Sequence, residues 1–230
     1  MYIKKILLTI VLLGLIAGGA FAYLIYNALF SPNTAFNNEE AYIYITTGSS
    51  YDDLKGLITP LLSDIETFEA VAKQKKYIDY IKPGKYILKK GMNNNEIINT
   101  LRSNNIPVNV SFNNQETFEK LAGRISGQIE ADSISLLKSF KDSLFMLENC
   151  FTTDTGLSLF IPNSYEFFSN TSATEFRDRM LKEYLRFWND DRIKKAEVLN
   201  LTQIQVVSLA SIDQKETAKV NERPRVAGLY

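Results

Sequence analysis

Carboxylates are the side chains of this sequence best suited to moving a proton at a reacting atom, because it contains no histidine and a single cysteine. Without imidazole there is no Ser-His-Asp or Cys-His relay and no imidazole metal ligand. Cys150, being alone, makes neither an internal disulfide nor a C-x-x-C pair, and reads as a small buried apolar side chain. Among the acids, Glu216 has the most informative surroundings. It follows Leu209 by seven residues and Ile212 by four, which sets it on the apolar face of a helix. That helix opens with a Thr202-x-x-Gln205 capping box and continues through Val206, Leu209, Ala210 and Ile212. Burial on that face disfavours the ionised carboxylate; Asp213 acts in the same sense, and Lys219 opposes. A carboxyl group kept protonated near neutrality is what a general acid for glycosidic cleavage requires. The same spacing also fits a plain surface role, in which Glu216 ends its helix and pairs with Lys219 or Arg223.

The elements that must position this helix can be read in outline. Lys4 and Lys5 precede an uncharged apolar run over residues 6–26; as a helix it rises about 31 Å, enough for a bilayer core. Ala20-Phe21-Ala22 fits a signal-peptide cleavage site. The apolar stretch nevertheless runs on to Leu29 and Phe30, which makes residues 1–30 an uncleaved single-pass anchor. Positive charge only before the span keeps the N-terminus cytoplasmic and exports the rest, so the bulk of the chain is extracytoplasmic on either reading. The 26 basic and 26 acidic residues balance and are interspersed, which argues against a nucleic-acid partner.

Residues 31–39 read as a polar linker and 40–105 as a small α+β module. In the module, residues 41–47 alternate as a strand, with Ile43 and Ile45 on one face and Tyr42, Tyr44 and Thr46 on the other. Ser50-x-x-Asp53 and Ser63-x-x-Glu66 predict helix starts on either side of Pro60. Pro83-Gly84 turns into a strand at 85–88, Asn93-x-x-Glu96 caps a third helix, and Val108, Val110 and Phe112 alternate as a further strand. From Gln115 the period becomes helical through Phe118, Leu121, Ile125 and Ile129, then Leu136, Leu137 and Phe140, then Leu144 to Leu147. An aromatic, proline-containing loop is expected over 156–165, followed by an amphipathic core helix over 174–188. The fold class is therefore α+β: a transmembrane helix, a small α+β module, and a mostly helical domain over 106–230.

The segment Leu209-Ala210-Ser211-Ile212-Asp213-Gln214-Lys215-Glu216-Thr217, followed by Glu222-Arg223-Pro224-Arg225-Val226-Ala227-Gly228-Leu229-Tyr230, resembles the signature of the MltG (YceG-like) endolytic murein transglycosylases. Pro83-Gly84-Lys85-Tyr86 and Pro162-Asn163-Ser164-Tyr165 precede it in the family's order. The resemblance implies a membrane anchor, a LysM-like module and a catalytic domain. It implies that Glu216, matching the second glutamate of A-S-I-x-E-K-E-T, is the catalytic acid/base, and that Glu222 and Arg223 match the following E-R pair in the substrate site. Asn163 and Tyr165 are candidates for lining sugar subsites. Gln214 replaces the motif's first glutamate, and Asp213 stands where an apolar residue is usual. The family continues past the position matching Tyr230, so the resemblance implies a C-terminally truncated member with an incomplete catalytic domain.

The implied reaction cuts MurNAc-GlcNAc bonds of peptidoglycan glycan strands to 1,6-anhydro ends at the bacterial cytoplasmic (inner) membrane, and so terminates glycan elongation. It needs no metal or cofactor, and cell-wall synthases (penicillin-binding proteins) are the expected protein partners. The rival from another class is a non-catalytic, membrane-anchored glycan-binding or scaffold protein.

Overall fold

The computed structural model describes residues 2–229. The chain is mixed α+β and divides into two compact units, one holding the residues up to 107 together with 168–170, the other holding the rest.

The first unit begins with α1 (Tyr2–Phe30), a helix with no buried residue. Its 29 residues rise about 43 Å. It is long and apolar enough to cross a membrane. The helix leads to β1 (Glu40–Ile45), α2 (Tyr51–Ile58), a 3-10 turn over Thr59–Leu61, α3 (Ile65–Gln74), β2 (Gly84–Lys89) and α4 (Asn94–Ser103). β1 and β2 form an antiparallel pair in which Tyr42 faces Ile87 and Tyr44 faces Lys85. The alternation behaves as the two-residue period demands: Ile43, Ile45, Tyr86 and Leu88 are buried against Leu54, Ile58, Phe68, Ile97, Ile98 and Leu101, while Tyr42 and Tyr44 face outward. The Ser50/Asp53 and Asn93/Glu96 capping boxes are both formed.

Three expectations need correction in this unit. α3 is capped by Asp64 rather than Ser63: the Asp64 carboxylate accepts the Glu66 and Thr67 amides at 2.9 and 3.1 Å. Ser63 is instead engaged through its own amide, which donates to the Asn33 carbonyl at 3.1 Å. The first strand stops at Ile45, before Thr46 and Thr47. Finally, the segment over 31–39 is no free spacer: Pro32 bridges to Asn93, Thr34 bridges to Leu62, and Asn33 is buried.

Gly84 begins β2 with φ of 145°, a backbone that a side chain rarely adopts, and a Cβ there would run into the Asn105 side chain. Asn105 holds the Lys85 amide at 3.0 Å and donates to Asn170 at 3.2 Å, so it is not free to yield. Gly84→Ala is accordingly expected to destabilise this unit by about 1–3 kcal/mol, read as a lower thermal or denaturant midpoint.

The second unit contains, apart from the strand-end residues Pro107 and Phe168, β3 (Pro107–Phe112), α5 (Phe118–Ser126), α6 (Ser133–Phe140), α7 (Ser143–Glu148), a 3-10 turn (Gly156–Leu159), β4 (Asn163–Phe168), α8 (Ala173–Phe187), α9 (Asp190–Val198), α10 (Gln203–Glu216) and α11 (Arg223–Ala227). Its core is aromatic: Phe176 packs 4.8 Å from Phe167, 5.9 Å from Phe140 and 6.5 Å from Phe160, ring centroid to centroid. The α8 stripe is buried at Phe176, Met180, Tyr184 and Trp188, whereas Leu185 is exposed.

Here too the structure departs from expectation. The loop expected over 156–165 ends in a strand, β4, which pairs with β3 and gives that strand its partner. Leu144 and Leu147 point to solvent while Phe145 and Met146 are buried, because α7 is under two turns long and turns its other face inward. Cys150 is exposed rather than buried. It follows α7 in a left-handed conformation, φ 60°, that reverses the chain at the surface.

Candidate functional site

α10 carries Leu209 to Glu216 of the motif singled out in the sequence. Its start is specified by reciprocal capping: the Thr202 hydroxyl accepts the Gln205 amide at 3.3 Å and the Gln205 side chain accepts the Thr202 amide at 2.8 Å. One side of α10, from Ile204 through Val207 and Ala210 to Asp213, walls an open groove of about 880 Å³ in the second unit. The facing walls come from Asn113, Asn114 and Gln115, from the Thr155–Pro162 stretch, and from Phe187, Trp188, Arg192 and Leu199. Amide groups, aromatic faces and aliphatic carbons therefore line one cleft. The guanidinium of Arg192 lies 4.2 Å from the Phe187 ring centroid.

Glu216 is the last residue of α10, at the end of that wall, and it is solvent-exposed. It does not line the groove. The burial expected of it is thus absent, because that face of α10 is left largely uncovered: Leu209 is only half-buried, Ile212 is exposed, and of the three only Ile212 borders the groove. The surface pairing considered for Glu216 is not formed either. Lys219 bonds to Glu222 at 3.1 Å, and among the described residues the Glu216 carboxylate has no ion-pair partner. Glu222 also accepts the Thr217 hydroxyl at 2.9 Å, and that hydroxyl accepts the Lys219 amide at 3.1 Å. This small knot, built on the buried Thr217, holds the turn that carries the chain from α10 into α11.

Asp213, Gln214 and Arg223 do line the groove. One carboxylate oxygen of Asp213 and the Nε of Arg223 are enclosed without a hydrogen-bond partner. Asn163 and Tyr165 are placed elsewhere. Asn163 is exposed, its side-chain oxygen accepts the Ser164 amide at 2.8 Å, and it borders a separate depression with Ser111, Asn113 and Arg124. Tyr165 is a core residue, stacked on Phe112 at 5.9 Å with its hydroxyl donating to the Ile161 carbonyl at 2.6 Å. Burial pushes its ionisation above the ordinary tyrosine value. Trp188 is the buried core residue that its amphipathic stripe predicts, and it also borders the groove together with the Thr155–Pro162 stretch, a role that periodicity does not mark. Among the described residues no cluster of acids, cysteine or histidine is arranged to hold a metal ion.

α10 is held from its charged side by Lys215, which pairs with Glu116, itself bonded to Lys120 at 2.6 Å. The side-chain hydrogen bonds from Lys120 and Lys215 keep Glu116 at about 2, below its ordinary 4.5. A carboxylate lowered in the folded state contributes stability that is complete above the ordinary value and is lost as pH falls through the folded one. Acidification from pH 4.5 to 2 is therefore expected to loosen the hold on α10. Trp188, the chain's single tryptophan and a wall residue of the groove, reports it by fluorescence. Glu116→Gln should remove that part of the acid transition.

The geometry so far defines a class: a mixed α+β protein with a long apolar N-terminal helix and an acid-bearing helix walling an open groove. The YceG-like family matches residues 43–230, and the chain belongs to that family. A crystal structure of a YceG-like protein from Listeria monocytogenes is similar at 19% identity and a TM-score of 0.49, covering 81% of this chain and 67% of that one. No curated protein matches the chain.

Proposed function

We propose that this protein is a membrane-anchored lytic transglycosylase that cuts peptidoglycan glycan strands endolytically, with Glu216 as its one acid/base. The observation that carries this reading is that the Leu209–Thr217 motif lies on the helix walling an open groove furnished with amides and aromatic faces, surfaces suited to sugar rings. Glu216 protonates the glycosidic oxygen as the bond to C1 of MurNAc breaks. The C6 hydroxyl of the same sugar then attacks C1 and returns its proton to Glu216, leaving a 1,6-anhydro end. No water is activated and no enzymic nucleophile is consumed, so a single carboxyl suffices. Arg223 and Asp213 contact the strand within the groove, and Glu222 holds the turn behind Glu216. The module over 40–105 is LysM-like and grips the glycan. Residues 1–30 stay attached as a single-pass anchor with the N-terminus inside, which places the chain beside cell-wall synthases.

A second reading is favoured by one specific observation, that Glu216 stands outside the residues lining the groove while Gln214 replaces an acid. On that reading the protein binds glycan without cutting it. Incubation with purified glycan strands separates the two: anhydro-ended muropeptides are expected, and binding without product would favour the scaffold. Mass spectrometry of the mature protein should find residues 1–30 present, whereas a mature N-terminus at Tyr23 would remove the anchor from this proposal.

A further inference from the structure

The segment following α1 is bound into the first unit by two buried asparagines. Asn33 is 4% exposed and Asn94 1%, so each polar atom must find a partner inside the protein. The Asn33 amide donates to the Met92 carbonyl at 2.9 Å, and its side-chain oxygen accepts the Asp64 amide at 2.7 Å. Its Nδ2 donates to the Asp64 carbonyl and to Asn94 Oδ1, both at 2.7 Å. Asn94 Nδ2 donates in turn to the Thr67 hydroxyl at 3.2 Å and to the Ala28 carbonyl at 2.9 Å. That last acceptor lies in the final turn of α1, among the carbonyls that a helix end leaves without an intrahelical partner. Ala28, Leu29 and Phe36 pack against the core of the same unit, the Ala35 amide donates to Leu61 at 2.9 Å, and the Gly91 amide donates to the Thr34 hydroxyl at 2.7 Å.

We infer that Asn33 and Asn94 are positioning residues that lock the anchor helix and the first unit into one rigid body, so that in a bilayer this unit stands in a fixed orientation instead of swinging on a tether. The inference rests on the anchor part of the proposed function and not on its catalysis. The alternative is quantitatively distinct. A free flexible chain over 31–39 would let its ends wander with a root-mean-square separation of about 15–18 Å.

The test is a distance distribution between nitroxides at Ala20→Cys and Tyr80→Cys, in a Cys150→Ser background, on the full chain in phospholipid nanodiscs. Tyr80 is exposed, so the label perturbs no packing. A single narrow distribution is expected, and Asn94→Leu should widen it at least about twofold by freeing the helix end. A Gly-Ser-Gly insertion between Tyr26 and Asn27 leaves the Asn94 bond to Ala28 and the Asn33 bonds to Met92, Ser63 and Asp64 in place but separates the rest of the helix from them, and it should widen the distribution equally, which keeps the test decisive if Asn94→Leu fails to fold. A broad wild-type distribution, or an insertion variant as narrow as wild type, would overturn the inference. Absence of residues 1–22 from the mature chain would overturn it together with the anchor, whereas an inactive protein with a narrow distribution would overturn only the catalytic reading.

Discussion

Glu216→Gln is expected to lower the release of anhydro-ended products by about 10²–10⁴-fold, the usual worth of a general acid/base. Glutamine preserves the shape and polarity of the side chain but cannot donate and then recover a proton. Because Glu216 is exposed, with no ion-pair partner among the described residues, its replacement leaves no buried group orphaned. The melting temperature and the quenching of Trp188 by glycan should therefore stay as in the parent, with the loss confined to kcat. Undiminished product release would sink the mechanism. Equal loss of binding and turnover would assign Glu216 to strand recognition.

The largest expected effect on stability is at Phe176, fully buried among Phe140, Phe160 and Phe167. Phe176→Ala removes a ring from a cluster whose members are fixed by one another, and truncation at such a site costs about 3–5 kcal/mol. That is a large part of the roughly 5–15 kcal/mol holding a typical domain folded. Urea unfolding followed by Trp188, which lies in the same unit and the same core, measures it. A midpoint unchanged from the parent would mean the cavity is refilled by its neighbours. Phe176→Leu, which keeps most of the volume, should lose markedly less.

What sequence determined is set by short range. Capping boxes at Ser50/Asp53, Asn93/Glu96 and Thr202/Gln205 close within one turn, and all three stand as read. The alternation of Ile43 and Ile45 against Tyr42 and Tyr44 follows from the strand period alone. The motif around Glu216 fell on a helix for the same local reason, and it pointed to the family before any geometry was known. Where local signals tied, the reading slipped by one residue: Ser63 and Asp64 both offer a capping oxygen, and the choice was made by Asn33, about thirty positions earlier in the chain.

Tertiary structure decided everything that depends on what faces an element from elsewhere in the chain. β4 is not legible in the sequence because its strand character depends on pairing with β3, some fifty residues away. Tyr165 and Trp188 are both buried aromatics, yet Tyr165 has its hydroxyl satisfied by Ile161 away from the groove, whereas Trp188 also borders the groove. The Leu209 and Ile212 spacing on α10 predicted burial of Glu216, but a helix buries a face only where a partner covers it, and here that face is left half-buried at Leu209 and exposed at Ile212 and Glu216. Periodicity states which side chains share a face; only the packing of distant segments states whether that face meets protein, solvent or ligand.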